Sequence, residues 1–367
     1  MRAKHIDRSF LALVCILVFG GLLIFISAAL GLLARGGQTV FENAAISQLF
    51  FGVICGFIAL FALAKIDYRF WKPYTPYFFG VAMALTLLTF VPHIGLSLKG
   101  ASRWLELGPF SFQPVEVLKF ASVALLAAVY AQNIGKIGEW RASLIPLAAI
   151  AGSASLVLIM QPNTGGVAMI GLASLTMLFA AGGKMRYIAG IVLVGVALVA
   201  LLALQRPYLR ARFETFFNPS ENSLSSSFQV QQSLIAVGSG RVFGRGFGQS
   251  IEKFSYLPEP IGDSIFAVAG EEFGFLGTTI LVVLFAIFAM AGLRIAARAP
   301  DAFGALLVVG LVVTIAGQSF FNMGATLGLF PLAGLPLIFV SHGGTALAIA
   351  LAEVGVILSV SRQMKNS

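Results

Sequence analysis

The chain has 367 residues, of which 58% are hydrophobic and only 11% charged, where a soluble domain carries about 25% charged residues. That balance excludes a water-soluble surface and puts most of the chain in a bilayer. The formal charge of +9 does not point to nucleic acid, because Lys and Arg stand singly in short connectors and form no basic stripe.

The N-terminal MRAKHIDRSF leads into an apolar run from Leu11 to Leu33. This run is longer than a signal-peptide core and lacks a small-residue cleavage site, so it is expected to stay attached as the first span. A bilayer core of about 30 Å takes roughly 20 apolar residues per helix. Breaking the chain at charged or Pro/Gly-rich positions then predicts ten helices, at 9–33, 44–64, 74–92, 114–131, 144–160, 165–182, 188–204, 264–292, 302–325 and 337–360. The expected fold is all-α, a single integral membrane domain over 1–367 with a large outer loop at 205–262 between the seventh and eighth helices. Cys15 and Cys55 fall within apolar runs and act as small hydrophobes.

An even number of spans puts both termini on one side. Of the 24 Lys and Arg residues, 14 lie on the side of the N-terminus, nine on the other, and Lys119 within a span. Six of the nine belong to the long loop, which the positive-inside rule discounts, so both termini are expected to be cytoplasmic. The loops at about 93–113 and 205–262 then face outward, and their polar residues place function on that face. No internal repeat or second soluble domain is evident.

Several residues stand out within this frame. Asp263 precedes the eighth helix in LPEPIGDS, whose Pro and Gly punctuation also suits a helix N-cap. Glu116 and Lys119 are three apart at the head of the fourth helix and share a face, where ionisable groups are costly; a structural ion pair is one reading. Glu271 and Glu272 are adjacent and cannot face one partner, so at least one should line the bundle interior, as Glu353 should in the last helix. The Gly-rich VGSGRVFGRGFGQS (Val237 to Ser250) follows no strand and leads into no GKS or GKT, so it is no nucleotide loop; it reads as a flexible outer loop shaping a groove, with Arg241 and Arg245 adding charge. Arg206, Arg210 and Arg212 suit anionic lipid headgroups and rank behind Arg245 and Lys253 as site residues. His5, His93 and His342 are isolated and make no zinc site.

Four stretches carry a resemblance: GASRWLELGPFSFQPVEVLKFA (Gly100 to Ala121), QPNTGG (Gln161 to Gly166), QQSLIAVGSGRVFGRGFGQSIEKFSYLPEPIGDSIFAVAGEEFGFLG (Gln231 to Gly277) and GLFPLAGLPLIFVSHGG (Gly328 to Gly344). In this order, and across most of the chain, they resemble the motifs of the RodA/FtsW peptidoglycan glycosyltransferases, the shape, elongation, division and sporulation (SEDS) family. The resemblance implies polymerisation of lipid II at the outer face of the bacterial cytoplasmic membrane. Asp263 is implied as general base, with Arg103, Lys119, Arg245 and Lys253 as candidates for the departing undecaprenyl diphosphate and Glu116 holding Lys119. Ser341 and His342 are implied as substrate-binding residues of the last outer loop.

Two positions depart from the pattern: Asn163 stands where the family usually has Asp, and His342 where it usually has Tyr. RWLELGPFSFQP and EPIGDSIFAVAGEE look more like FtsW, which implies a role in division. The resemblance also implies a class B penicillin-binding protein as partner, while a divalent cation assisting the diphosphate stays open because no ligand cluster demands one. A carrier or flippase of lipid-linked precursors, or a non-catalytic scaffold for the transpeptidase, would fit the same basic groove without a base at one face.

Overall fold

The computed structural model describes residues 6–98, 101–107, 110–217 and 226–364. Arg2, Lys4 and Lys365 of the charge count, Gly100 of the first motif, and 218–225 of the long loop lie outside them.

Helix α1, Arg8–Ala34, starts where Asp7 accepts a hydrogen bond from the Phe10 N–H. Helix α2, Gln38–Lys65, is continuous through a π-helical stretch at Ser47–Cys55. A 3₁₀ turn, Tyr68–Tyr74, leads into α3, Thr75–Leu88. Strands β1, Gly95–Leu98, β2, Ala101–Leu107, and β3, Phe110–Phe112, form an antiparallel sheet in chain order. Then follow α4, Pro114–Gln132, α5, Trp140–Met160, α6, Thr164–Ala180, and α7, Met185–Gln205. The long loop holds α8, Pro207–Phe217, α9, Ser226–Ser239, and α10, Glu252–Ser255. Helices α11, Ile265–Ala297, α12, Ala302–Thr326, and α13, Gly344–Ser361, complete the chain.

Each predicted segment contains a helix, and eight of these helices are long and apolar enough to cross a membrane. The other two, α3 and α6, have 14 and 17 residues. The first outer loop folds as a small sheet, and the described part of the 205–262 loop carries three helices. One expectation needs correction: the last helix begins at Gly344, not at 337, because 327–343, with two prolines and three glycines, enters the bundle as non-helical chain.

That entry sets the depth of the far side, the side on which α1 ends. The Phe339 backbone lies against Gly21 of α1, thirteen residues or roughly 20 Å of helix below Ala34. Gly344 lies against the Ser47 backbone in α2, nine residues or roughly 14 Å of helix below Gln38. Helix α13 therefore starts deep, and longer helices wall it in. Non-helical backbone at such depth persists only where protein satisfies its polar groups. Here the buried Gln48 amide does so, donating to the Ser341 carbonyl (3.1 Å) and accepting from the Gly343 N–H (3.0 Å).

Helix α11 is two helices meeting at Gly274, whose φ of 65° breaks the ladder. The Gly-rich loop repairs the break. Arg245 and Gly246 N–H groups donate to the carbonyls of Glu271 and Glu272, while Phe275 and Leu276 N–H groups donate to those of Arg241 and Val242. A side chain at Gly244 or Gly274 would strike the opposing backbone, so these glycines serve close backbone approach.

Candidate active site

Asp263 lies half-buried in the turn before α11. The N-cap of α11 is Ser264, so Asp263 stands one residue outside the cap position. Its surroundings are fixed through the backbone. The Asp263 carbonyl accepts from Asn322 Nδ2 (3.0 Å) and Thr326 Oγ1 (3.3 Å) of α12. The preceding carbonyls of Gly262 and Ile261 accept from Ser341 Oγ (2.8 Å) and the His342 N–H (2.7 Å). Ser341 Oγ also accepts from the Leu337 N–H (2.9 Å), so this hydroxyl holds the loop. The His342 ring stacks on Phe25, 6.1 Å between centroids, and its Nε2 is buried without a partner.

Arg103 on β2 reaches the same place. A methyl group added at Gly334 would sit 3.8 Å from Arg103 Nη1 and 3.8 Å from Asp263 Oδ2, so guanidinium and carboxylate flank one point of the penetrating loop. Arg103 also donates from Nε to the Gln161 carbonyl (3.3 Å) and from Nη2 to that of Pro162. That turn is itself pinned by Gln161 Nε2, which donates to Thr89 Oγ1 (2.6 Å) and the Thr86 carbonyl (2.9 Å). Asn163 caps α6 by accepting from the Gly166 N–H (3.1 Å). Capping needs an oxygen, not a charge, which accounts for an amide at a position where the resemblance has a carboxylate.

A second cationic group lies below. Lys119 is 3% exposed and donates from Nζ to Glu116 Oε2 (2.8 Å) and Gln318 Oε1 (2.6 Å). Glu353 on α13 lies within electrostatic reach of both Lys119 and Glu116.

Two predicted residues are placed elsewhere. Lys253 is fully buried, its Nζ 2.5 Å from Glu272 Oε1 and 2.8 Å from Ser27 Oγ of α1. Its ammonium is occupied there as a buried ion pair. Arg245 sits at the α11 break, 3.4 Å from Glu271 Oε1. Glu271 also accepts from Ser250 Oγ and from the Ile251 and Glu252 N–H groups. Burial, and after it the Glu271 carboxylate, raise the Glu252 carboxyl above its ordinary range.

Arg212, ranked by the sequence behind Arg245 and Lys253, turns toward the bundle. Its Nη1 lies 3.3 Å from Thr164 Oγ1, beside the turn that Arg103 grips. The RPYLRARF spacing gave no hint of which arginine turns inward. Among the described residues no three His, Cys, Asp or Glu side chains converge on a point that could hold a metal.

Fold and site together define a polytopic membrane protein that brings a half-buried carboxylate and a guanidinium to one point of a penetrating loop. The chain belongs to the FtsW/RodA/SpoVE family of cell cycle proteins, whose model matches residues 7–366. It is 39% identical over 316 residues to stage V sporulation protein E of Bacillus subtilis, covering 86% of each chain. It is 35% identical over 315 residues to the probable peptidoglycan glycosyltransferase FtsW of Geobacter sulfurreducens, covering 86% of this chain and 84% of that one. Among solved structures, a chain of a peptidoglycan synthase complex superposes with a TM-score of 0.78 at 23% identity, over 97% of this chain and 98% of that one. The rod shape determining protein RodA of Thermus thermophilus superposes at 0.66 and 22% identity, over 99% and 98%. These structural likenesses concern the fold.

Proposed function

We propose that the protein is a peptidoglycan glycosyltransferase that polymerises lipid II, with Asp263 as general base. One observation carries this reading: the half-buried carboxylate of Asp263 and the guanidinium of Arg103 flank the same point, Gly334 of the penetrating loop. In the reaction, the 4-hydroxyl of one lipid-linked disaccharide attacks the anomeric carbon of another. A new C–O bond forms there, the bond to the diphosphate breaks, and the hydroxyl proton passes to Asp263. The undecaprenyl diphosphate leaves with the bonding pair. An α-linked donor giving a β-linked glycan inverts the anomeric centre, which suits one displacement with one base.

The departing charge would be met by Arg103 and Arg212, with the Lys119–Glu116 pair beneath. Fixed donors of this kind stabilise charge where it develops. Ser341 and His342 would shape the pocket, Ser341 by holding its backbone and His342 with its buried ring. The names of the relatives add weight to the chemistry and to a role in division or sporulation. A penicillin-binding protein is the proposed partner, and the count of basic residues supports cytoplasmic termini and an outward-facing site.

The test is to incubate labelled lipid II with the wild type and with Asp263→Asn, each alone and with the cognate transpeptidase. Polymer from the wild type and none from the folded variant is the expected result. Equal polymer from both would remove Asp263 from its role, and no polymer from the wild type with its partner would favour a carrier or scaffold.

A further inference from the structure

Helix α12 crosses the site with three polar side chains at a spacing of four, Gln318, Asn322 and Thr326. Residues i, i+4 and i+8 lie along one face of a helix, about 6 Å apart in rise. All three are buried, at 0%, 3% and 1% exposure, and each holds a part of the site. Gln318 accepts from Lys119 Nζ (2.6 Å) and donates from Nε2 to the Pro336 carbonyl (3.1 Å). Asn322 Nδ2 donates to the carbonyls of Leu335 (2.8 Å) and Asp263 (3.0 Å). The single proton of Thr326 Oγ1 is shared between the Asn322 carbonyl of its own helix (2.9 Å) and the Asp263 carbonyl (3.3 Å), so it is the weakest of the three rungs.

We propose that Gln318, Asn322 and Thr326 form a ruler that fixes the separation between the Lys119 ammonium and the Asp263 carboxylate; the inference rests on the glycosyltransferase reading above. The base must face the attacking hydroxyl, while the buried Lys119 ammonium, bonded to Glu116 and Gln318, acts from beneath through its charge on the oxygens that depart on the opposite side of the anomeric carbon. Their spacing is therefore a catalytic variable, and displacement by about 1 Å costs on the order of 100-fold in rate. Adjacent carbonyls, Leu335 and Pro336, are bonded to successive rungs, so the penetrating loop cannot slide along α12 without breaking both. The buried Oδ1 of Asn322 has no partner. An unpaired buried acceptor is destabilising, so an apolar residue would pack there at lower cost. What the amide supplies instead is two donors aimed at the Asp263 and Leu335 carbonyls. None of the three is exposed enough to touch substrate, so they are positioning residues.

The experiment uses the full-length protein with its transpeptidase partner and labelled lipid II, comparing Asn322→Leu, Gln318→Leu, Thr326→Val and Thr326→Ser. Each is scored as kcat and KM per folded molecule, the folded fraction being read from thermal unfolding. The expected result is a kcat about 10-fold or more lower for Asn322→Leu and Gln318→Leu at unchanged KM. Thr326→Val should fall in the same way, and Thr326→Ser, which keeps the hydroxyl, should recover most of the rate. Activity that tracks only the folded fraction, or a valine at 326 as active as serine, would overturn the ruler while the wild type still polymerises. A wild type that makes no polymer overturns the parent reading, and the ruler with it.

Discussion

Lys253 and Asp263 lie in one motif, ten residues apart, and have different fates. Asp263 stays half-buried in the turn before α11, facing the same point as Arg103. Lys253 is drawn inside by Glu272 and by Ser27, a residue 226 positions away, and nothing in the spacing of its own loop foretells that. Breaking a buried pair from one side leaves an uncompensated charge and costs about 3–5 kcal/mol, whereas replacing both partners by apolar groups is often neutral. Lys253→Met is therefore expected to lower the melting temperature sharply, and Lys253→Met with Glu272→Leu to regain most of it. Differential scanning fluorimetry of the purified protein checks this. If Lys253 instead served the diphosphate, the double variant would melt normally yet lose polymerase activity. Arg212 shows the converse: an arginine in a run of three is legible as charge but not as geometry.

Among the elements, apolar runs gave the helices reliably because span length and hydropathy are local properties. The sheet at 95–112 and the break at Gly274 were not legible, since both depend on backbone pairing with distant segments. The Gly-rich loop was expected to be flexible, but its glycines dock it onto the broken α11. Helix α12 shows a local signal that held. Asp301 caps it, accepting from the Gly304 N–H (2.8 Å), and also accepts from Tyr68 Oη (2.6 Å) and Arg69 Nε (2.9 Å). Burial opposes the charge of Asp301, but these bonds outweigh it and hold the carboxyl below its ordinary value of 3.8. A depressed folded pKa contributes stability above the unfolded value and loses it as pH falls through the folded one. Asp301→Ala should thus destabilise by about 1 kcal/mol at neutral pH, the usual worth of an N-cap. The gap to the wild type should close below about pH 3.8, as thermal melts across pH would reveal.

For the whole molecule, each predicted segment contains a helix, eight of them long and apolar enough to cross a membrane, yet the proposed functional architecture lies in the chain that is not helical. The expected last span, 337–360, takes in 337–343 because that stretch is largely apolar. It is buried against protein, with its polar groups met one by one: the Val340 and Ser341 N–H groups by the Leu337 carbonyl, the His342 N–H by Ile261 and the Gly343 N–H by Gln48. Loop segments usually exchange their amide hydrogens quickly, because local opening exposes them at little cost. Here opening would strand donors at membrane depth and uncouple α2, α12 and the Asp263 turn together. Amides 337 and 340–343 are therefore expected to exchange as slowly as those of the central helices in mass-spectrometric measurements, while the exposed tip at Leu329 and Phe330 exchanges fast. The clock of this loop is that of the core, and rapid exchange at 340–343 would mean that the site has no fixed floor.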